Sequence, residues 1–188
     1  MARLGKRDWI HEGLTVLSEI GYEGIKIDRL CKRLDISIGS FYHHFKNIDD
    51  YVDQMIAEWE NRMHAHFVDS LEQEVPAQER LRLLHEQILE HPPKLEVAVR
   101  AWAFQNVMID KAVEKMDKKR VRLMGTLFME MGHSPEDARQ LAEIQYAAYL
   151  GVQTYCVNRS RATARKLFLS IAEMMHRAPG APVSVTPS

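Results

Sequence analysis

The stretch Asp35-Ile36-Ser37-Ile38-Gly39-Ser40-Phe41-Tyr42-His43-His44-Phe45 decides how the chain folds. Phe41 and Phe45 stand four apart, so on a helix they share one face and anchor it to a core. Ser37, Ile38, Gly39, Ser40, His43 and His44 are left for the outside. Ser37 is expected to cap the helix, its hydroxyl accepting from a free amide of the first turn. Just upstream, Ile27, Leu30, Cys31 and Leu34 mark a second short helix at helical spacing. Two short helices around a tight turn are the helix-turn-helix plan, whose second helix enters the major groove of duplex DNA. A longer stripe, Ile10, Gly13, Leu14, Leu17 and Ile20, supplies the supporting helix, and Gly21 stops it.

The residue types on the outer flank suit DNA. Gly39 lets the backbone approach the groove wall, Ser40 can exchange hydrogen bonds with base edges, and Ile38 can pack on a thymine methyl. Tyr42 and His44 are long enough to reach phosphates. Charge placement agrees. Residues 1–46 carry eight basic and six acidic side chains, whereas the remaining chain carries 17 basic and 20 acidic. A basic head on an acidic body is a modest mark of a DNA-contacting end. The whole-chain net charge of -1 excludes a uniformly basic coat.

Outward from this head, apolar residues keep helical spacing nearly everywhere. One long helix is expected from about residue 49 to 74, with Val52, Met55, Ile56, Trp59, Met63 and Phe67 inward. Others are expected over 77–90, 94–106, 110–131, 135–157 and 162–177. Val75-Pro76 and His91-Pro92-Pro93 break the run, since proline lacks an amide and disfavours a helical residue before it. Ser134-Pro135-Glu136-Asp137 opens a helix with a hydroxyl cap, a first-turn proline and two acids at the positive helix end. The tail, 178–188, has three prolines, one glycine and no charge, and is expected to be mobile. No useful β-alternation, repeat or glycine-rich phosphate loop occurs. The expected architecture is all-α: a three-helix head over 1–47, a larger helical body over 48–177, and the tail.

At Gly21–Phe45, followed by Lys46-Asn47-Ile48-Asp49-Asp50, the chain resembles the DNA-binding head of the TetR family, the tetracycline-repressor-like transcriptional regulators. Ser-x-Gly-Ser-Phe-Tyr-His-His-Phe is the most specific part. Leu95–Ala103 and Tyr146–Gly151 are similar to the body of one branch of such regulators. The resemblance implies about nine helices and a homodimer that binds a near-palindromic operator. It also implies an intersubunit four-helix bundle from the last two helices, and a small effector in the body that changes the spacing of the heads. By position, its DNA contacts fall on Ser37, Ile38, Gly39, Ser40, Tyr42, His43 and His44. Its arm before the first helix falls on Arg3, Lys6 and Arg7. Four places depart from the family pattern. Ile25-Lys26 stands where threonines are usual, making Lys26 the expected phosphate contact. Asp35 replaces a turn glycine, and Asp tolerates the left-handed region better than most residues. Ile48 replaces the lysine that opens the fourth helix, leaving Lys46 as its substitute. Ile38 occupies a position that often bears a cation, which suggests apolar base reading.

For the body, Met55, Trp59, Met63, Phe67, Trp102, Met108, Met116 and Met124 are expected to line an adaptable pocket for a small apolar or aromatic effector. Tyr146, Ala147, Tyr149, Leu150 and Tyr155 are expected at a dimer contact, where Ala147, Ala148 and Gly151 permit close helix approach. Neither cysteine is expected in a disulfide, because Cys31 and Cys156 make no ligand spacing. Nine histidines invite a metal site, but His64 and His66 point about 200° apart on a helix and His85 and His91 lack the HExxH spacing. No metal, cofactor or catalytic motif is expected, so the chain is not read as an enzyme. No run approaches a membrane span and residues 1–5 do not make a signal peptide, so a cytoplasmic protein is expected. The sequence reads as a DNA-binding transcriptional regulator acting as a dimer, a repressor released by its effector. The alternative is an all-helical ligand-binding or scaffold protein with a degenerate head that does not grip DNA.

Overall fold

The computed structural model describes residues 4–71, 74–90 and 93–177, with the side chains of 64–71, 89–90 and 176–177 excepted. Arg3, His91 and the tail 178–188 lie outside these residues, as do the side chains of His64, His66 and Phe67. Nine α-helices and no strand occur among the described residues. They are α1 (Lys6–Ile20), α2 (Ile27–Leu34), α3 (Ile38–His44), α4 (Ile48–Leu71), α5 (Ala77–Glu90), α6 (Lys94–Ala103), α7 (Val107–Glu130), α8 (Pro135–Tyr155) and α9 (Arg161–Arg177). A 3₁₀ turn at Tyr22–Gly24 joins α1 to α2.

Local chemistry sets the helix ends. Gly21 ends α1 at φ 91°, a backbone that side-chain-bearing residues rarely adopt. Asp35 ends α2 in the left-handed region, at φ 54°. The α4 start is reciprocally capped: the Asn47 side-chain oxygen accepts from the Asp50 N–H (2.8 Å), and the Asp50 carboxylate accepts from the Lys46 N–H (2.9 Å). Asn106 caps α7 and Ser134 caps α8, the latter accepting from the Asp137 N–H at 3.1 Å. The expected Ser37 cap is corrected. Ser37 holds the capping position of α3, but its hydroxyl makes no cap bond; its carbonyl accepts from the Ser40 N–H instead.

Two apolar clusters hold the helices. The first runs from Trp9, Leu17, Leu30, Phe41 and Phe45 in the head through Tyr51, Met55 and Trp59 of α4 to Val99, Trp102, Ile109 and Met116. The head is thus packed onto α4, α6 and the first half of α7 through a continuous core. The second joins Leu81 and Leu84 of α5, Met124, Leu127 and Phe128 of α7, Ala142, Tyr146 and Tyr149 of α8, and Phe168 of α9. Cys31 and Cys156 are buried, unbridged thiols, one in each cluster. At the crossing of α1 and α4, a Cβ on Gly13 would lie 1.9 Å from the Tyr51 hydroxyl. Only glycine permits this approach, which lets the Tyr51 hydroxyl donate to the Trp9 carbonyl (2.7 Å).

Candidate nucleic-acid interface and body cavity

The α3 helix is held by its aromatic face. Phe41 and Phe45 are 0% and 2% exposed, with their rings edge-on to Trp9 at 5.3 and 6.4 Å. Burying each ring contributes roughly 2–3 kcal/mol. The opposite flank stays open: Ser37, Ile38, Gly39, Tyr42 and His43 are exposed, Ile38 by 50% and Tyr42 by 55%. Ser40 and His44 are half-buried at its edges. A hydroxyl, an isoleucine, a bare glycine backbone, a phenol and an imidazole therefore share one uncovered side of a short rod.

Cations flank this rod. Lys26 occupies the capping position of α2 without a cap bond from its side chain, and Lys46 is exposed just after α3. Lys6 and Arg7 are exposed, but they form the first turn of α1 rather than an arm before it. Asp8 is the reason: its carboxylate accepts from the Gly5 N–H at 2.7 Å and starts the helix there. Lys6 lies over the Phe45 ring, with its Nζ 5.4 Å from the centroid, which places it beside the α3 C-terminus. Arg33 is withdrawn from any such role, because Glu12 and Glu19 of α1 both bind it. Those side-chain hydrogen bonds raise its pKa further above the ordinary guanidinium range.

The body does not gather the expected pocket residues. Met55, Trp59, Trp102 and Met116 fill the first cluster as packed core. Met124 belongs to the second cluster, and Met108 is 37% exposed in the first turn of α7. The cause is length: Met116 and Met124 are eight residues apart, about 12 Å along α7. Of the expected residues, Met63 lines a cavity, of about 350 Å³, between α1, α4, α6 and α8. Leu14, Leu95, Glu96, Tyr149 and Gln153 form its buried and half-buried walls, and His11, Arg62 and Lys94 stand toward its mouth.

Behind Glu96 lies a buried polar network that the sequence reading missed. Glu96 accepts from Arg100 Nε (2.9 Å) and Arg120 Nη1 (3.1 Å). Arg100 also grips Asp117 through both Nη atoms, at 3.0 and 2.5 Å. The Tyr146 hydroxyl donates to Asp117 (2.7 Å) and accepts from Arg100 and Arg120. Burial alone would lower the Arg100 and Arg120 pKa values. The hydrogen bonds that Arg100 donates to Asp117, and the Glu96 charge near both, outweigh it and raise them. Burial pushes the Tyr146 phenol up, so it stays protonated and can donate. The signal for this network was present in the spacing of Glu96 and Arg100, i and i+4 on α6. Arg120 and Tyr146 come from other helices and carried no such mark.

The expected dimer residues divide. Tyr146 and Tyr149 are 5% and 6% exposed and point inward, their rings stacked 5.9 Å apart. Leu150 packs half-buried against the second cluster. Ala147 and Tyr155 are exposed, and with Ile144 and Gly151 they make an outward stripe at helical spacing on α8. Leu167 and Met174 of α9 are also exposed. Among the described residues no group of histidine, cysteine or acidic side chains is placed to hold a metal ion.

Residues 10–55 match the family described as bacterial regulatory proteins, tetR family. That segment spans α1 to α3 and the start of α4. The head of this chain is thus similar to the head of that family. The chain is 28% identical over 151 residues, 80% of its length, to the transcriptional regulator AcuR of Cereibacter sphaeroides. The chain spans 57% of the length of that relative. Its fold is that of a transcriptional regulator from Rhodococcus sp. Rha1 (TM-score 0.77, 17% identity, covering 95% of this chain and 100% of that one). It is also that of reduced NemR of E. coli (TM-score 0.75, 18% identity, 94% and 99%). A third likeness is a regulator from Saccharomonospora viridis in complex with choline (TM-score 0.73, 18% identity, 89% and 95%). In this chain α1 to α3 form the helix-turn-helix head that the family match covers. Among the described residues no helix is long and apolar enough to cross a membrane.

Proposed function

We propose that this chain is a tetR-family transcriptional regulator, a cytoplasmic homodimeric repressor without enzymatic activity that binds a near-palindromic operator and is released by a small molecule in its body. The observation that carries this reading is the uncovered flank of α3, Ser37 to His43, beside an aromatic face that is fully buried. One such rod per subunit enters one major groove. Two, related by a twofold axis, enter successive grooves when they stand about 34 Å apart. The α8 stripe of Ile144, Ala147, Gly151 and Tyr155, with Leu167 and Met174 of α9, is the surface proposed to pair the subunits. Its small residues permit close approach, and a twofold contact repeats the same patch on both sides. Ser40 and Ile38 read bases, while Tyr42, His44, Lys6, Lys26 and Lys46 hold phosphates.

Release follows from differential affinity. A ligand that fits only one spacing of the heads shifts the population toward it. The cavity supports this, because α1 of the head is one of its walls. The test is selection of bound fragments from genomic DNA by the purified protein. Enrichment of a short inverted repeat with half-sites about one helical turn apart is expected. Recovery of unrelated fragments without a common repeat would favour the scaffold reading.

A further inference from the structure

The residues of α1 that line the cavity are His11, Leu14, Thr15 and Ser18. They stand at i, i+3, i+4 and i+7, one complete face of the helix. Whatever fills the cavity therefore lies directly against the head. The same helix holds α3 through Trp9 and α2 through Glu12, Glu19 and Arg33. A shift of α1 carries the whole head with it.

The charges around the space are uneven. Its one acid, Glu96, is committed to Arg100 and Arg120, and Asp117 balances the other charge of that network. No carboxylate is left unpaired in the lining for an incoming amine. Two cations, Arg62 and Lys94, line the same space. Arg62 gives its Nε to Glu58 (2.8 Å) and brings Nη1 to 3.4 Å from His11 Nδ1, so its remaining N–H groups are available. Lys94 is exposed and makes no ion pair among the described residues. Between mouth and floor the walls are Leu14, Met63, Pro93 and Leu95. At about 350 Å³ the space is at the small end of ligand sites.

We infer that this cavity binds a small organic carboxylate with an apolar body, the carboxylate held by Arg62 and Lys94 and the body laid between α1 and α6. This deepens the effector reading above and rests on it for the consequence at DNA. The bound anion wedges α1 from the first turn of α6, and the head leaves its operator-competent position.

Calorimetric titration of the full chain with hexanoate, hexanamide and hexylamine tests the assignment. Hexanoate is expected to bind saturably, with the amide and the amine weaker by about tenfold or more. Arg62→Gln and Lys94→Gln are each expected to weaken hexanoate by about tenfold, with the melting temperature held as the check on folding. Thr15→Trp, at a half-buried wall position, is expected to abolish binding by filling the space. No hexanoate binding, equal binding of the three probes, preference for the amine, or indifference to both cation substitutions would overturn the site. Operator affinity is measured in parallel by anisotropy. Hexanoate bound with unchanged operator affinity would leave the carboxylate site standing and overturn the effector reading alone.

Discussion

At Tyr42 and Ser40 the two proposed kinds of DNA contact can be told apart. Tyr42→Ala is expected to weaken every duplex alike, because a phosphate contact carries no sequence information. Ser40→Ala is expected to relax preference at one base position, by about 1 kcal/mol, in an anisotropy series of singly substituted operators. Equal, sequence-independent losses for both would reject these roles. Gly13→Ala forces Tyr51 from its place, since the new methyl would overlap the hydroxyl that donates to Trp9. A loss of about 1–3 kcal/mol in denaturant unfolding is expected. An unchanged midpoint would show that α1 and α4 can part freely. The flank of α3 was legible because two phenylalanines four apart name the inward face. The Ser37 cap was not, because the hydroxyl is free to choose and the Ser37 carbonyl made the turn's bond instead.

The helices themselves follow from their capping chemistry, and α4 shows how. The Lys46 N–H, and after it Gln54, hold the Asp50 carboxyl below the ordinary carboxylate range. A carboxyl with a lowered folded pKa adds stability above its unfolded value, near 3.9, and that stability is lost as the pH falls through the folded value. Asp50→Asn is therefore expected to lower the melting temperature at pH 7 and to match the parent at about pH 2. A difference that persists undiminished in acid would contradict the carboxylate's part in the cap. In α6 the pairing is buried. Glu96→Gln removes the carboxylate that Arg100 and the buried Arg120 share, and a loss of about 3–5 kcal/mol is expected in denaturant unfolding. Helix spans were readable within a few residues because prolines, glycines and caps punctuate them. Facing was not. Tyr146 looks outward in a one-dimensional stripe of tyrosines, and turns inward because Arg100, Arg120 and Asp117 meet its hydroxyl there.

Across the whole molecule, the head is not an appendage. Its aromatic core continues into Val99, Trp102 and Ile109, and the Tyr22 hydroxyl donates to Gln105 at 2.5 Å while its ring stacks on Trp102. These contacts join residues about eighty positions apart, which no local periodicity reveals. That is why the sequence pattern located the head and the open flank of α3 but scattered the pocket residues among solid core, exposed helix start and cavity wall. Cohesion also supplies the route that the proposed release needs, since a cavity walled by α1 and α6 lies where the head packs on the body. Pairing is set at this scale too. Gly151→Glu, on the exposed α8 stripe, is expected to shift the sedimenting species from dimer to monomer while helical content is retained. A monomer before substitution, or a dimer after it, would remove α8 from the interface.

The most direct test of a DNA-reading α3 is the salt dependence of operator binding, followed by fluorescence anisotropy on the selected inverted repeat and on a scrambled duplex. The expected result is tight, saturable binding to the repeat that falls by about 10³-fold or more between 50 and 200 mM salt, as several phosphate contacts require. The scrambled duplex is expected to bind far more weakly at every salt concentration. Weak binding, equal on both duplexes and flat with salt, would contradict it.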